Sequence, residues 1–167
     1  MANKEREALI VEQIPSLRRY ACALTLDRDH ADELVQDCLE RAWDRFDSWQ
    51  PGTNLRAWLF TIMHNIFLNS IRKQNNAPPL VFLDENEVTA KTRDPMALRD
   101  LETGLAGLSP DQRELIILAG LEQMSYQDIS AILKIPVGTV MSRLSRSREK
   151  LRQLMSIEPT STIKKVK

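Results

Sequence analysis

Arg143, Arg146, Arg148, Lys150 and Arg152 crowd one short stretch of the chain, with Glu149 the only acid among them. Arginine does little proton chemistry near neutrality. It binds instead, matching the paired acceptors of guanine or the oxygens of a phosphate with its planar fork, while lysine acts as a point charge. Val140, Leu144, Ser147 and Leu151 recur at spacings of 4, 3 and 4, one stripe of a helix. Ser142, Arg143 and Arg146 lie off that stripe and point elsewhere. Gly138, Thr139 and Ser142 are small, so the start of this helix can approach a surface closely. The chemistry on offer is recognition of a polyanion.

The preceding residues must aim that helix. Ser125 is a good N-cap and Asp128 stands three residues on, followed by an apolar face of Ile129, Ile132 and Leu133. Lys134, Ile135 and Pro136 interrupt the pattern, and proline suits a helix entry rather than an interior. A short helix, a three-residue turn and a longer basic helix predict a helix-turn-helix over 125–152, whose second helix enters the DNA major groove. The plainer alternative is a solvated helix pair. The uneven charge and the small residues at the leading end argue against it.

A second constellation mixes aromatics with amides and bases. Trp49, Trp58, Phe60 and Phe67 are interleaved with Arg56, His64, Asn65, Asn69, Arg72 and Lys73. Such a surface can stack the bases of a single strand, although aromatics at helical spacing also serve as core. The pattern predicts a helix over 55–73 with Leu55, Trp58, Leu59, Ile62, Ile66 and Ile71 inward. It follows a Pro-Gly loop, 48–54, in which Thr53 or Asn54 can cap.

A third stretch is acidic. Between Asp29 and Asp47 there are seven acids against Arg41 and Arg45. A helix over 31–46 gathers Leu34, Val35, Cys38, Leu39, Ala42, Trp43 and Phe46 on one side. Asp32, Glu33, Gln36, Asp37 and Glu40 cover the other. The helix dipole favours only the acids of the first turn, Asp32 and Glu33. An acidic helix in one half and a basic one in the other imply two different partners.

The remaining segments complete an all-α chain. A first helix is expected over 9–26 through Ile10, Ile14, Leu17, Ala21 and Leu24, with Pro15 marking its true start and 27–30 a polar break. Residues 74–94 lose periodicity and read as a linker, with an apolar knot at Val81, Phe82 and Leu83. A helix starts at Asp94-Pro95, and Ser109-Pro110-Asp111-Gln112 is a capping box with proline at N1. Gly120 then suits a helix-ending position, and the tail past Met155 is expected to fray. The 167 residues carry zero formal net charge, 43% hydrophobic and 28% charged side chains, as a globular protein should. Cys22 and Cys38 read as buried thiols. With only His30 and His64, no metal site is expected, and neither is an enzyme, since no nucleophile–base pair or phosphate loop is visible. The charged start, 1–13, is unlike a signal peptide, and no apolar run nears the ~20 residues of a membrane span. A cytoplasmic protein without cofactors is the expectation.

The whole arrangement resembles the extracytoplasmic-function (ECF) sigma factors of bacterial RNA polymerase. ADELVQDCLERAW, FDSW and NLRAWLFTIMHNIFLNSIRK are similar to sigma region 2; LSPDQRELIIL and MSYQDISAILKIPVGTVMSRLSRSREKL are similar to region 4. LRRYACALTLDRDHADELVQD is also similar to the general-stress subgroup of alphaproteobacteria. The resemblance implies region 2 over 9–74, a linker over 75–94 and region 4 over 95–156. It implies that Asp32, Glu33, Gln36, Asp37 and Glu40 bind core polymerase. Trp49, Asn54, Trp58, Asn65, Asn69 and Arg72 would meet the melted −10 element. Ser142, Arg143 and Arg146 would read the −35 element while Thr139, Arg148 and Lys150 hold phosphates. An anti-sigma protein is an implied partner. Where the family often has Ala, this chain has Ser130, and Lys134 stands where a small residue is common. The rival readings are a helix-turn-helix regulator that never meets polymerase and a sigma mimic that titrates an anti-sigma factor.

Overall fold

A computed structural model describes residues 3–76 and 95–155, with the side chains of 95–98 excepted. The apolar knot at 81–83, most of the expected linker and the tail past 155 lie outside the described residues.

The first helix, α1 (Asn3–Thr25), runs straight through Pro15 and begins well before it. Pro15 therefore does not mark a start. Proline crowds the carbonyl four residues back, that of Val11, but both residues lie on the exposed side where water can serve that oxygen. Leu26 adopts a positive φ of 55° and its N–H returns to the Cys22 carbonyl at 2.9 Å, ending the helix. Asp27 at once caps the next helix, α2 (Arg28–Asp44), accepting from the N–H groups of Asp29 at 2.9 Å and His30 at 3.0 Å. The expected polar break is thus a tight corner, because one aspartate satisfies two orphan donors. A 3₁₀ turn (Phe46–Ser48) and a loop with Gly52 at φ 90° lead to α3 (Leu55–Asn76). Asn54 caps α3 by accepting from the Ala57 N–H at 3.2 Å.

The second half contains α4 (Pro95–Ala106), α5 (Pro110–Ile116), a π-helical turn (Ile117–Leu121), α6 (Tyr126–Leu133) and α7 (Val137–Leu154). The Ser109–Gln112 capping box is complete in both directions. Gly120 does not end a helix. It sits exposed within the wide π turn, and Gln123 takes the positive φ, 51°. Gly104 lets α4 lie close on α7: a Cβ there would come 2.8 Å from Leu151 Cδ1 and from Met155 Cγ.

Both halves are helical, with no strand among the described residues. They share one core rather than standing apart. Leu17, Tyr20 and Leu24 of α1 and Leu59, Phe60 and Met63 of α3 join Leu118, Ile129 and Ile132 of the second half in a single buried cluster. Each such side chain, fully buried, is worth about 1.5–3 kcal/mol relative to exposure.

Candidate nucleic-acid interface

In the second half, Ser125 caps α6 by accepting from the Asp128 N–H at 3.0 Å. Lys134 then adopts left-handed backbone, φ 55° and ψ 46°. Strain of about 1–2 kcal/mol is expected for a side chain there. The turn is tied down on both sides: Ile135 N–H donates to the Ser130 carbonyl at 3.2 Å, and the Ser130 hydroxyl donates to the Ile135 carbonyl. Ser130 in place of alanine therefore braces the turn that Lys134 strains. Val140, Leu144 and Ser147 of α7 face the core, with Leu151 half-buried behind them. Ser142, Arg143, Arg146, Arg148 and Lys150 are all exposed, and Thr139 is half-buried near the start of the helix. Arg152 pairs with Glu149, and the other cations of α7 stand exposed.

On the first half, Trp49 and Trp58 both lean on the buried Phe46, at 5.5 and 6.2 Å between ring centroids. Each is half-buried, so Trp58 is neither wholly inward nor free, and the Trp49 indole N–H is buried with no hydrogen-bond partner among the described residues. Phe60 and Phe67 are buried and cannot stack bases. The stacking surface is smaller than the aromatic count suggested, because α3 spends those rings on the core. Asn65, Asn69 and Arg72 follow one another up α3 at spacings of 4 and 3, half-buried at Asn65 and exposed beyond it. Asn54 is exposed beside Trp58, and its Nδ2 donates to Asp128 Oδ2 at 3.3 Å.

Asp32, Glu33, Gln36, Asp37 and Glu40 are exposed along α2, while Ala31, Leu34, Val35 and Cys38 pack beneath them. Trp43 is a correction to the expected stripe: it is 46% exposed at the edge of this acidic face. Cys22 is likewise exposed rather than buried. Cys38 is buried, donates to the Leu59 carbonyl at 3.5 Å, and burial pushes its thiol up to about 12.

Two further acids behave differently. Glu114 of α5 is buried, receives the Tyr20 hydroxyl and lies 2.7 Å from Nδ1 of His64. Burial, and then Glu114, hold the Tyr20 phenol well above its ordinary range. Glu122, after the π turn, accepts from Ser16 Oγ at 2.7 Å and from Arg19 Nε and Nη2 at 3.3 Å each. Arg56 Nη2 donates to the Glu122 carbonyl at 3.0 Å, and its Nη1 lies 3.7 Å from the carboxylate. Arg113 joins the ends of α1 and α4, donating to the carbonyls of Leu24 at 2.7 Å, Leu105 at 2.9 Å and Leu108 at 3.2 Å. Desolvation lowers its guanidinium from the ordinary value. Sequence reasoning missed this set and left His64 among the positions off the inward stripe. Helical spacing held the signal: Glu114 precedes Ile117 and Leu118 by three and four, and His64 lies one turn from both Phe60 and Phe67.

Residues 10–64 match a family model described as the Sigma2 domain of PhyR, and 98–151 match Sigma-70, region 4. Over 89% of its length the chain is 39% identical to an ECF RNA polymerase sigma factor, EcfG, of Rhodopseudomonas palustris, covering 84% of that protein. The chain belongs to the ECF RNA polymerase sigma factor family. Within that family it is also 30% identical to the sigma factor SigC of Mycobacterium tuberculosis, over 92% of this chain and 83% of that protein. Among solved structures it is similar to the sigma factor RpoE of Bartonella quintana, determined with the anti-sigma factor NepR. There the identity is 35%, the TM-score 0.77 and the coverage 93% of this chain and 99% of that one. α1–α3 thus correspond to sigma region 2 and α4–α7 to region 4. The region 4 helix-turn-helix and the acidic helix of region 2 stand where the sequence placed them. No helix among the described residues is long and apolar enough to cross a membrane.

Proposed function

We propose that this sigma factor binds core RNA polymerase through the exposed face of α2 and directs initiation at specific promoters. Asp32, Glu33, Gln36, Asp37 and Glu40 are the polymerase contacts, since packing and the helix dipole leave most of that acidic surface unexplained. Region 2, over 9–74, meets the melted −10 strand with Trp49, Asn54, Trp58, Asn65, Asn69 and Arg72. Opening a duplex step costs a few kcal/mol, offset by stacking and pocket contacts. Region 4, over 95–156, seats α7 in the major groove of the −35 element. There Ser142, Arg143 and Arg146 contact bases, while Thr139, Arg148 and Lys150 hold phosphates, which position without specifying. The stretch 75–94 joins the two.

The observation that carries this reading is the separation of exposed charge, acidic along α2 and basic along α7, within one chain that has both family modules. The protein works in the cytoplasm, without catalysis of its own or a cofactor. An anti-sigma protein regulates it, as the NepR-bound likeness in Bartonella quintana supports, and its signal is of the general-stress type. Run-off transcription with purified core enzyme on a promoter-fragment library tests the assignment. Discrete transcripts that depend on the protein are expected. A mimic of sigma, or a regulator that acts without polymerase, gives none.

A further inference from the structure

Glu122 has no exposed side-chain surface, yet every group that receives its carboxylate comes from the other half of the chain. Ser16, Arg19 and Arg56 converge on it from α1 and α3. One hydroxyl and two guanidinium groups around two oxygens make an anion receptor, and a phosphodiester offers the same pair of oxygens. The receptor reaches the surface: the side chains of Arg19 and Arg56 are 52% and 32% exposed with Glu122 in place. Arg56 stands between Asn54 and Trp58, and Asn54 is itself held by Asp128 of the second half. An amide and an aromatic ring beside the cations suit a nucleotide better than an acidic peptide.

We propose that Ser16, Arg19 and Arg56 form an anion cradle, filled by Glu122 when the two halves are docked and by a phosphodiester of the melted promoter strand when they part. Glu122 is then a latch, and region 4 shields part of the strand-binding face of region 2 until it is displaced. This rests on the assignment of that face to the melted strand. The exchange is suited to a switch. A buried ion pair gains little net stability because both charges give up water, so releasing Glu122 to solvent costs far less than its contacts suggest.

The test measures fluorescence anisotropy of a labelled single-stranded oligothymidylate with the full chain. Wild type, Glu122→Gln, Arg56→Ala and the double variant are compared, with poly-glutamate peptide as a second probe and circular dichroism to confirm folding. Glu122→Gln should bind the strand at least about fivefold more tightly, because a larger fraction of molecules is open. Adding Arg56→Ala should abolish that gain and flatten the log–log salt dependence by ~0.7 for the lost phosphate. Asp128→Asn loosens the same junction with the cradle intact, and should give a smaller gain of the same sign should Glu122→Gln fold poorly. No gain in either variant, a gain that survives Arg56→Ala, or an equal gain for poly-glutamate overturns the proposal. If no variant binds the strand while the wild-type chain still supports run-off transcription, the cradle is refuted and the initiation reading stands. If transcription is absent as well, that reading falls with it.

Discussion

The acids of α2 and the two buried glutamates of region 4 are the same chemistry put to opposite uses. Asp32, Glu33, Asp37 and Glu40 stand in water above a well-packed helix. Glu114 and Glu122 are buried, each in a set of donors drawn from the other half. An exposed carboxylate adds little to stability, so changing it leaves the fold alone. A buried one is held by its partners, and removing it strands them. The exposed acids of α2 are available to partners, whereas the two buried acids are committed to groups of the other half.

Substitutions on the two sides should therefore separate fold from function. The largest effect on stability is expected from Glu114→Ala, which leaves the Tyr20 hydroxyl and His64 without their acceptor in a buried interface. Denaturant unfolding should show a loss of about 4 kcal/mol. A loss below about 1 kcal/mol would mean that the junction is wet or open in solution.

The buried underside of α2 gives the next effect. The Cys38 thiol is raised from 9.0 to about 12 in the fold. The unfolded chain therefore sheds this proton first as pH rises. The neutral thiol's contribution is complete below about pH 9 and fades toward pH 12, by on the order of 3 kcal/mol. Other groups change charge over that window in the unfolded chain, so the check is the difference between wild type and Cys38→Ala across it. Parallel curves would contradict the burial of Cys38.

On the basic side, Arg143→Ala should weaken promoter binding by roughly 1–3 kcal/mol and relax one base position, read in a competition assay over promoter variants. A uniform loss over all sequences would make Arg143 a phosphate contact. The smallest effect belongs to Ser109→Ala, which removes the capping box of α5. About 1 kcal/mol of stability should go, with promoter choice unchanged.

How far the sequence discloses this fold depends on the range of the interaction. The Ser109–Gln112 box, the caps at Ser125 and Asn54 and the inward stripe of α7 are local, set by residues three or four apart, and all were legible. Lys134 was legible as a departure where a small residue is common, and the structure shows left-handed backbone there with Ser130 bracing the turn. What escaped was long-range. Ser16 and Glu122 are 106 residues apart, and Tyr20 and Glu114 are 94 apart. No periodicity links such pairs, and a polar residue on an apolar face shows its partner only once the halves meet. The same reason left His64 and Phe60 off the expected inward stripe: spacing shows that a helix has faces, but not how many of them another element will cover. Pro15 and Gly120 misled for a different cause. Tertiary packing carried a helix through the one and wound a π turn around the other.

On the proposed assignment, the exposed acids of α2 grip polymerase while the buried acids stay within the fold. The most direct measurement is the affinity of the full chain for sigma-free core polymerase, wild type against Asp37→Arg, with melting curves recorded on the same samples. A stable wild-type complex is expected, with binding lost in the variant and stability within about 0.5 kcal/mol of wild type. Equal binding by the two proteins, at unchanged stability, would contradict it.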